Sequence, residues 1–207
     1  MDAEKFWDNA AEKYAKSPIG NEAVYREKLE ATQKYFNAES LVLELGCGTG
    51  TTSIYHAPLV KHILATDISN SMLEIGRNRA REAGVENVTF QQATIENFVA
   101  EPASFDIVLA LNIIHLIDDP AAAVSKVFTL LKPGGVFVSS TACLGDVRFN
   151  YYRILIPIMR LLGKAPPVHY VKRSDLERYF ADAGFEIDFQ RPRIKGEAAF
   201  FIVKKPI

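Results

Sequence analysis

The chain has 207 residues, of which 48% are hydrophobic, 24% charged and 11% aromatic. That composition suits one soluble globular domain and excludes a disordered chain, a collagen-like repeat and a disulfide scaffold. Twenty-four Lys and Arg face 25 Asp and Glu, a net charge of -1, so no global basic field exists to draw nucleic acid.

In chain order, the first 36 residues read as helical and precede any strand. Leu41–Leu45 reads as a first strand running into a glycine loop, and His62–Thr66 as a second that ends at Asp67. Ser69 is placed to cap a helix over about Ser71–Ala83, with Gly84 as its stop. Val88–Phe90 and Phe105–Leu109 read as the third and fourth strands. Asp119-Pro120 sets a cap and then proline at the first helical position, and that helix ends at Lys132-Pro133-Gly134-Gly135. Val136–Ser140 is the fifth strand, Ser174-Asp175-Leu176-Glu177 a capping box, and Gly184 the stop of the helix it opens. Two last strands are expected near Phe185–Phe189 and Ala198–Val203, with a turn at Lys195-Gly196. Strands that are apolar throughout and alternate with helices predict an α/β fold, a mostly parallel sheet covered on both faces.

Between Val147 and Arg173 there are six basic residues and no acidic one, interleaved with Tyr151, Tyr152 and a run of aliphatics. An alternating fold needs only a short connection there, so this segment is expected to be an insertion that covers something. Its apolar run Ile154–Met159 is far shorter than the ~20 residues of a spanning helix, so no transmembrane segment is predicted. A basic amphipathic helix over 148–164 would also suit peripheral contact with a membrane surface. The polar start Met1-Asp2-Ala3-Glu4-Lys5 lacks a signal-peptide pattern, and Cys47 and Cys143 form no paired framework. Both features point to a cytoplasmic setting.

The sharpest motif is Glu44-Leu45-Gly46-Cys47-Gly48-Thr49-Gly50, at the carboxyl end of the first strand. Ligands of open parallel sheets sit at that end. A dinucleotide fingerprint requires G-x-G-x-x-G, but Thr51 stands where its third glycine belongs, which disfavours a nicotinamide oxidoreductase. No lysine follows to make a phosphate loop. Asp67 ends the second strand, where a carboxylate can accept both hydroxyls of a ribose. Loop and acid together favour a nucleoside ligand.

With these features the sequence resembles the class I S-adenosylmethionine-dependent methyltransferases, of the small-molecule kind that includes the ubiquinone/menaquinone ("type 11") enzymes. The matching motifs run in order: Trp7-x-x-Ala10-x-x-x-Tyr14, Glu44-x-Gly46-x-Gly48-x-Gly50, Asp67-Ile68-Ser69, Gln92-Ala93-Thr94, Phe105-Asp106-Ile107-Val108 and Leu131-Lys132-Pro133-Gly134-Gly135. The resemblance implies a Rossmann-like, doubly wound, seven-stranded sheet with an antiparallel last strand. It divides one domain into an N-terminal helical cap (1–36), a cofactor-binding core (37–142), an inserted lid (143–173) and a C-terminal helix and strand pair (174–207).

It further implies that Glu44, Gly46, Cys47 and Gly48 pass beside the methionine and ribose portions of the cofactor. Asp67 would hold the ribose, and Ile68 and Met72 would wall the adenine. Ala93, Thr94 and Ile95 would approach the adenine edge, Leu111 and Asn112 would lie along the methionine, and Tyr14 would reach its carboxylate. The family usually has Asp where Thr94 stands; threonine offers an acceptor without charge.

The implied reaction is in-line methyl transfer from S-adenosylmethionine to a small apolar or anionic acceptor, releasing S-adenosylhomocysteine. Positioning alone contributes ~7–11 kcal/mol in well-oriented reactions, so no metal is required. His115, after the fourth strand, is the candidate base if the acceptor must lose a proton. Arg148, Tyr151, Tyr152, His169 and Tyr170 are candidates for holding the acceptor. The alternative is a non-catalytic S-adenosylmethionine-binding sensor or partner protein, which the departure at Thr94 leaves open.

Overall fold

The structure is a computed structural model, and it describes residues 2–147, 152–161, 163–194 and 196–207. Seven strands form one sheet in the order β3-β2-β1-β4-β5-β7-β6. They are β1 (Leu41–Leu45), β2 (His62–Asp67), β3 (Val88–Gln92), β4 (Phe105–Leu111), β5 (Leu131–Thr141), β6 (Glu186–Gln190) and β7 (Ala199–Lys204). β1 pairs in parallel with β2 on one side and β4 on the other, while β7 runs antiparallel to both β5 and β6. The strand order therefore reverses at β1, and the crevice for a ligand opens beyond the carboxyl ends of β1 and β4.

The inner strands are apolar on both faces because both faces are covered. Phe201 and Val203 of β7 pack with Phe137, Val124 and Phe180 on one side, and Phe200 and Ile202 with Leu109, Ile63 and Leu73 on the other. Phe180 is fully buried with ring centroids 5.4 Å from Phe201 and 5.8 Å from Phe137. Each such ring contributes roughly 1.5–3 kcal/mol by leaving water.

Around the sheet lie α1 (Ala3–Ala15), α2 (Glu22–Gln33), α3 (Thr51–His56), α4 (Asn70–Glu82), α5 (Pro120–Leu130), α6 (Tyr152–Leu161) and α7 (Arg173–Ala183). Ser69 caps α4 through Met72 N, as its sequence position predicts, and Asp119 caps α5 through Ala122 N. Asp8 of α1 accepts from Ser69 Oγ at 2.6 Å and from Ser71 N at 3.1 Å, which ties the N-terminal helix to the start of α4. Among the described residues no helix is long and apolar enough to cross a membrane.

Three local expectations are corrected. Lys132–Gly135 do not merely end a helix. They belong to β5, which pairs Leu131 with Phe105 and then Val136 with Ile107, so the intervening residues bulge past Asp106. Lys132 Nζ lies 2.8 Å from the Asp106 carboxylate and holds the bulge. Secondly, α7 starts at Arg173 rather than after Ser174. Asp175 accepts from Lys172 N at 2.9 Å and Asp146 from Arg173 N at 3.1 Å, so the two carboxylates satisfy a helix start two residues early. The third is α3, a short helix directly after the glycine loop that the sequence pattern did not signal. The expected turn at Lys195-Gly196 includes Lys195, which lies outside the described residues.

Candidate functional site

The glycine loop has the backbone that its composition calls for. Gly46 and Gly48 lie at φ +65° and +54°, a region that costs L-residues roughly 1–2 kcal/mol. Their surroundings differ. A Cβ on Gly46 would lie 2.8 Å from two carbons of Ile113, whereas one on Gly48 would meet only Tyr14, at 3.7 Å. Gly46 is thus closed in by protein, and Gly48 faces open space beside Tyr14. Arg79 of α4 fixes the loop from behind, donating to Thr49 Oγ1 at 2.7 Å and to the Ala15 carbonyl at 2.7 Å. This clamp was invisible in the sequence, where Arg79 reads as an ordinary basic residue near a helix end.

Two carboxylates flank the loop. Asp67 is buried at the end of β2; Oδ2 accepts from Gly48 N at 2.8 Å and Oδ1 from Ser69 N at 2.9 Å. Each oxygen keeps a lone pair for another donor. Burial raises its pKa, against those hydrogen bonds. Glu44, in β1, is buried and accepts from the Ser53 hydroxyl of α3. Burial pushes its pKa up to about 7, with the Asp67 charge adding to the rise. The Cys47 thiol is buried, and burial, with the Glu44 and Asp67 charges adding to it, raises its pKa well above the usual range, so it stays protonated.

Two cavities meet over this region. The smaller, about 490 Å³, is lined by Gly48, Asp67, Ile68, Met72, Ala93, Thr94 and Ile95, with Trp7 of α1. The larger, about 880 Å³, is lined by Glu44, Cys47 and Thr49, by Tyr25, Lys28 and Leu29 of α2, by Ser140 of β5 and by Phe200 of β7. Tyr14, Gly46, Leu111 and Asn112 border both. Asn112 holds φ +60° at this junction and donates its N–H to the Ser140 carbonyl at 2.6 Å. A non-glycine residue in that region stores about 1–3 kcal/mol of strain, which tends to persist at functional sites. Thr94 is not free toward the smaller cavity: its N–H donates to Asn97 Oδ1 at 2.8 Å and its Oγ1 accepts from Asn97 N at 3.3 Å.

The other candidate residues fall elsewhere. His115 sits on a single 3₁₀ turn (Ile114–Leu116) and, among the described residues, lines neither cavity. Its Nδ1 is buried without a partner among those residues, and burial pushes its pKa down to about 4, leaving a neutral ring at pH 7. Its carbonyl accepts from His169 N at 2.7 Å. His169 borders the smaller cavity, with Nε2 3.3 Å from Asp118 Oδ1. The Tyr170 ring lies under the Arg153 guanidinium, 5.1 Å from its centroid, and lines neither cavity.

Arg148 and Tyr151 lie outside the described residues, and Tyr152 opens α6. The described part of the insertion that reaches a cavity, Arg160 and Pro166–His169, borders the smaller one. Around the larger one α2, β5 and β7 take the place expected of the insertion. Lys28 and Ser140 were missed because their meeting depends on how α2 docks, for which no short motif exists.

Comparison with known proteins then places the chain. The profile of the methyltransferase domain matches residues 37–170. The chain is similar to the uncharacterized methyltransferase YcgJ of Bacillus subtilis, 38% identical over 101 residues that cover 49% of this chain and 40% of the relative. It is also similar to a ubiquinone biosynthesis O-methyltransferase of Aromatoleum aromaticum, 32% identical over 152 residues that cover 70% of this chain and 63% of the relative. The matches thus span 40% and 63% of these relatives' own lengths. Among solved structures, an S-adenosylmethionine-dependent methyltransferase from Mesorhizobium loti shares the fold at a TM-score of 0.73 and 19% identity, over 86% of this chain and 96% of the other.

Proposed function

The chain belongs to the methyltransferase-domain family, and we propose that it binds S-adenosylmethionine across the two cavities and methylates a small apolar or anionic acceptor. The observation that carries this reading is the junction at Tyr14, Gly46, Leu111 and Asn112. A nucleoside-sized space lined by the Asp67 carboxylate opens there into a second, larger space.

The residues present fit the cofactor. Asp67 keeps an acceptor lone pair on each oxygen for the ribose hydroxyls. Ile68 and Met72 offer apolar walls for a base, and Glu44 offers a buried carboxylate for the amino-acid end. When bound, the sulfonium of S-adenosylmethionine supplies an electrophilic methyl group. The protein's part is to hold that group at the junction, to seat the acceptor against it and to exclude water. The neutral His115, which lines neither cavity, is not needed for those tasks. The relatives named for ubiquinone biosynthesis O-methylation favour an oxygen acceptor.

Calorimetry with S-adenosylmethionine and S-adenosylhomocysteine tests the cofactor; a folded sample that binds neither defeats the proposal. Labelled cofactor with a mixed metabolite pool separates enzyme from sensor, since a sensor releases no labelled product.

Glu44 gives the cofactor site a pH dependence. In the free protein it titrates near 7, and a cationic amino group beside it favours the carboxylate. Binding therefore releases a proton below pH 7, and affinity rises with pH. Between pH 6 and 8 the expected gain for S-adenosylhomocysteine is about tenfold. Glu44→Gln should bind more weakly and without that slope. Calorimetry in buffers of different ionisation heat reads the proton directly, and no proton release at pH 6 refutes the role.

The exposed face of α6 supports a peripheral membrane contact within 148–164. Leu155, Ile158 and Leu161 are exposed at helical spacing, Leu161 at 88%, beside Arg153, Arg160 and Lys164. Leu162, the next apolar residue in the chain, lies outside the described residues. The protein is expected to co-sediment with vesicles rich in anionic lipid, and Ile158→Glu/Leu161→Glu to stay in solution. Equal recovery of both in the supernatant refutes the contact.

A further inference from the structure

We infer that Lys28 is the anchor for an oxyanion on the acceptor, so that the substrate is an acid, a carboxylate or phosphate ester, carried on an apolar body. This deepens the proposed methyl transfer and rests on it. The argument starts from the charges around the larger cavity. Lys28 projects from α2, half-buried, and Nζ donates to Ser140 Oγ at 3.0 Å. Its ammonium also lies 5.7 Å from the centroid of the Phe200 ring. An ammonium has three N–H donors; among the described residues Nζ makes no other hydrogen bond and no ion pair.

The two nearby carboxylates are committed elsewhere. Glu27 accepts from Arg191 Nε at 3.0 Å and from its Nη2 at 2.9 Å, and Glu197 accepts from Arg191 Nη1 at 2.6 Å. Arg191 is itself buried, so this fork is preorganised. Of the two cations that line the cavity among the described residues, Arg79 is held by Thr49 Oγ1 and the Ala15 carbonyl, which leaves Lys28 turned to the space. Burial and the Arg191 charge lower the Lys28 pKa, the mark of an ammonium that lacks an adequate counter-ion. Tyr25, Leu29 and Phe200 supply apolar lining beside it.

The position of Lys28 favours the acceptor over the cofactor's own carboxylate. In the sheet, Ser140 is paired with Leu111 on one side and Phe200 on the other. Leu111 borders both cavities, whereas Ser140 and Lys28 border only the larger. Ser140 is two strands from β1, about 10 Å at the usual strand spacing. An anion at Lys28 therefore lies beyond the junction, on the side away from Asp67.

The test measures phenylacetate, its neutral isostere phenylacetamide and phenyl phosphate, by calorimetry or chemical-shift titration on protein saturated with S-adenosylhomocysteine. Wild type is expected to bind at least one acid about tenfold more tightly than the amide. Lys28→Met should erase that preference and Lys28→Arg should keep it. The affinity of Lys28→Met for S-adenosylhomocysteine should stay within about twofold of wild type, with an unchanged melting curve to show that it folds. Phenyl phosphate binding above phenylacetate identifies the anion as phosphoryl; the reverse identifies a carboxylate.

Three results overturn the inference: acids no tighter than the amide, no binding of either acid at millimolar concentration, or a preference that survives Lys28→Met. A large loss of S-adenosylhomocysteine affinity in folded Lys28→Met also overturns it, by assigning the ammonium to the cofactor. Should wild type bind no S-adenosylhomocysteine, the cofactor reading fails. The same comparison of acids and amide in cofactor-free protein then still decides the role of Lys28.

Discussion

Asp67→Ala is expected to lower the affinity for S-adenosylhomocysteine by about 100-fold, or ~3 kcal/mol. The carboxylate is asked to do two things at once. It accepts the N–H groups of Gly48 and Ser69 at 2.8 and 2.9 Å, and it presents its remaining lone pairs to the smaller cavity. Alanine removes the ribose acceptors and also leaves two loop N–H groups unpaired, each worth roughly 1–3 kcal/mol if water does not replace the oxygen. Asp67→Asn is the informative control. Its single carbonyl oxygen can serve one backbone N–H, while its amide nitrogen faces the other donor. It should therefore lose nearly as much affinity as alanine despite its shape. Calorimetry with each purified variant reads the effect, and an affinity for Asp67→Ala within twofold of wild type would refute the assignment.

What was legible in advance was what the chain encodes locally. The apolar runs at Leu41–Leu45 and His62–Asp67 became neighbouring strands in register, so Glu44 and Asp67 came to the same edge of the sheet. Ser69 and Asp119 capped the helices their positions announced. Asn112 was read by its place after the fourth strand, although nothing in its type predicted a left-handed backbone. What escaped depends on tertiary docking. Arg79 reaches the Ala15 carbonyl only because α4 lies along α1, and Lys28 reaches Ser140 only because α2 docks near the end of β5. Neither pair is separated by a fixed spacing, so no periodicity points to it. The start of α7 escaped for a related reason. Ser174 has the better capping chemistry, but Asp146, remote in sequence, supplies an acceptor one residue earlier. The basic insertion was recognised by charge, yet charge alone did not tell that its Pro166–His169 stretch would border the smaller cavity rather than the larger.

Gly46→Ala and Gly48→Ala separate the structural from the ligand-facing part of the loop. Both residues carry a positive φ, so each alanine costs roughly 1–2 kcal/mol of stability for the backbone alone. Only at Gly46 does a methyl group also collide with packed atoms, 2.8 Å from Ile113 Cδ1 and Cγ1 and 3.1 Å from Ile113 Cβ. Cβ cannot swing aside with the rotamer, so the crowding adds a further ~1–3 kcal/mol. Gly46→Ala is therefore expected to lose about 2–5 kcal/mol, a large share of the ~5–15 kcal/mol that holds a domain of this kind. Gly48→Ala should keep most of its stability and lose cofactor binding, because its methyl group enters the space between the loop and Tyr14. Urea denaturation measures the first loss and calorimetry the second. The steric argument makes one more demand: Ile113→Ala removes two of the three crowding carbons and keeps only Cβ at 3.1 Å, so in that background the excess cost of Gly46→Ala over Gly48→Ala should shrink. If Gly46→Ala and Gly48→Ala prove equally stable in the wild-type background, or if Ile113→Ala brings no relief, Gly46 is not held against Ile113 as described.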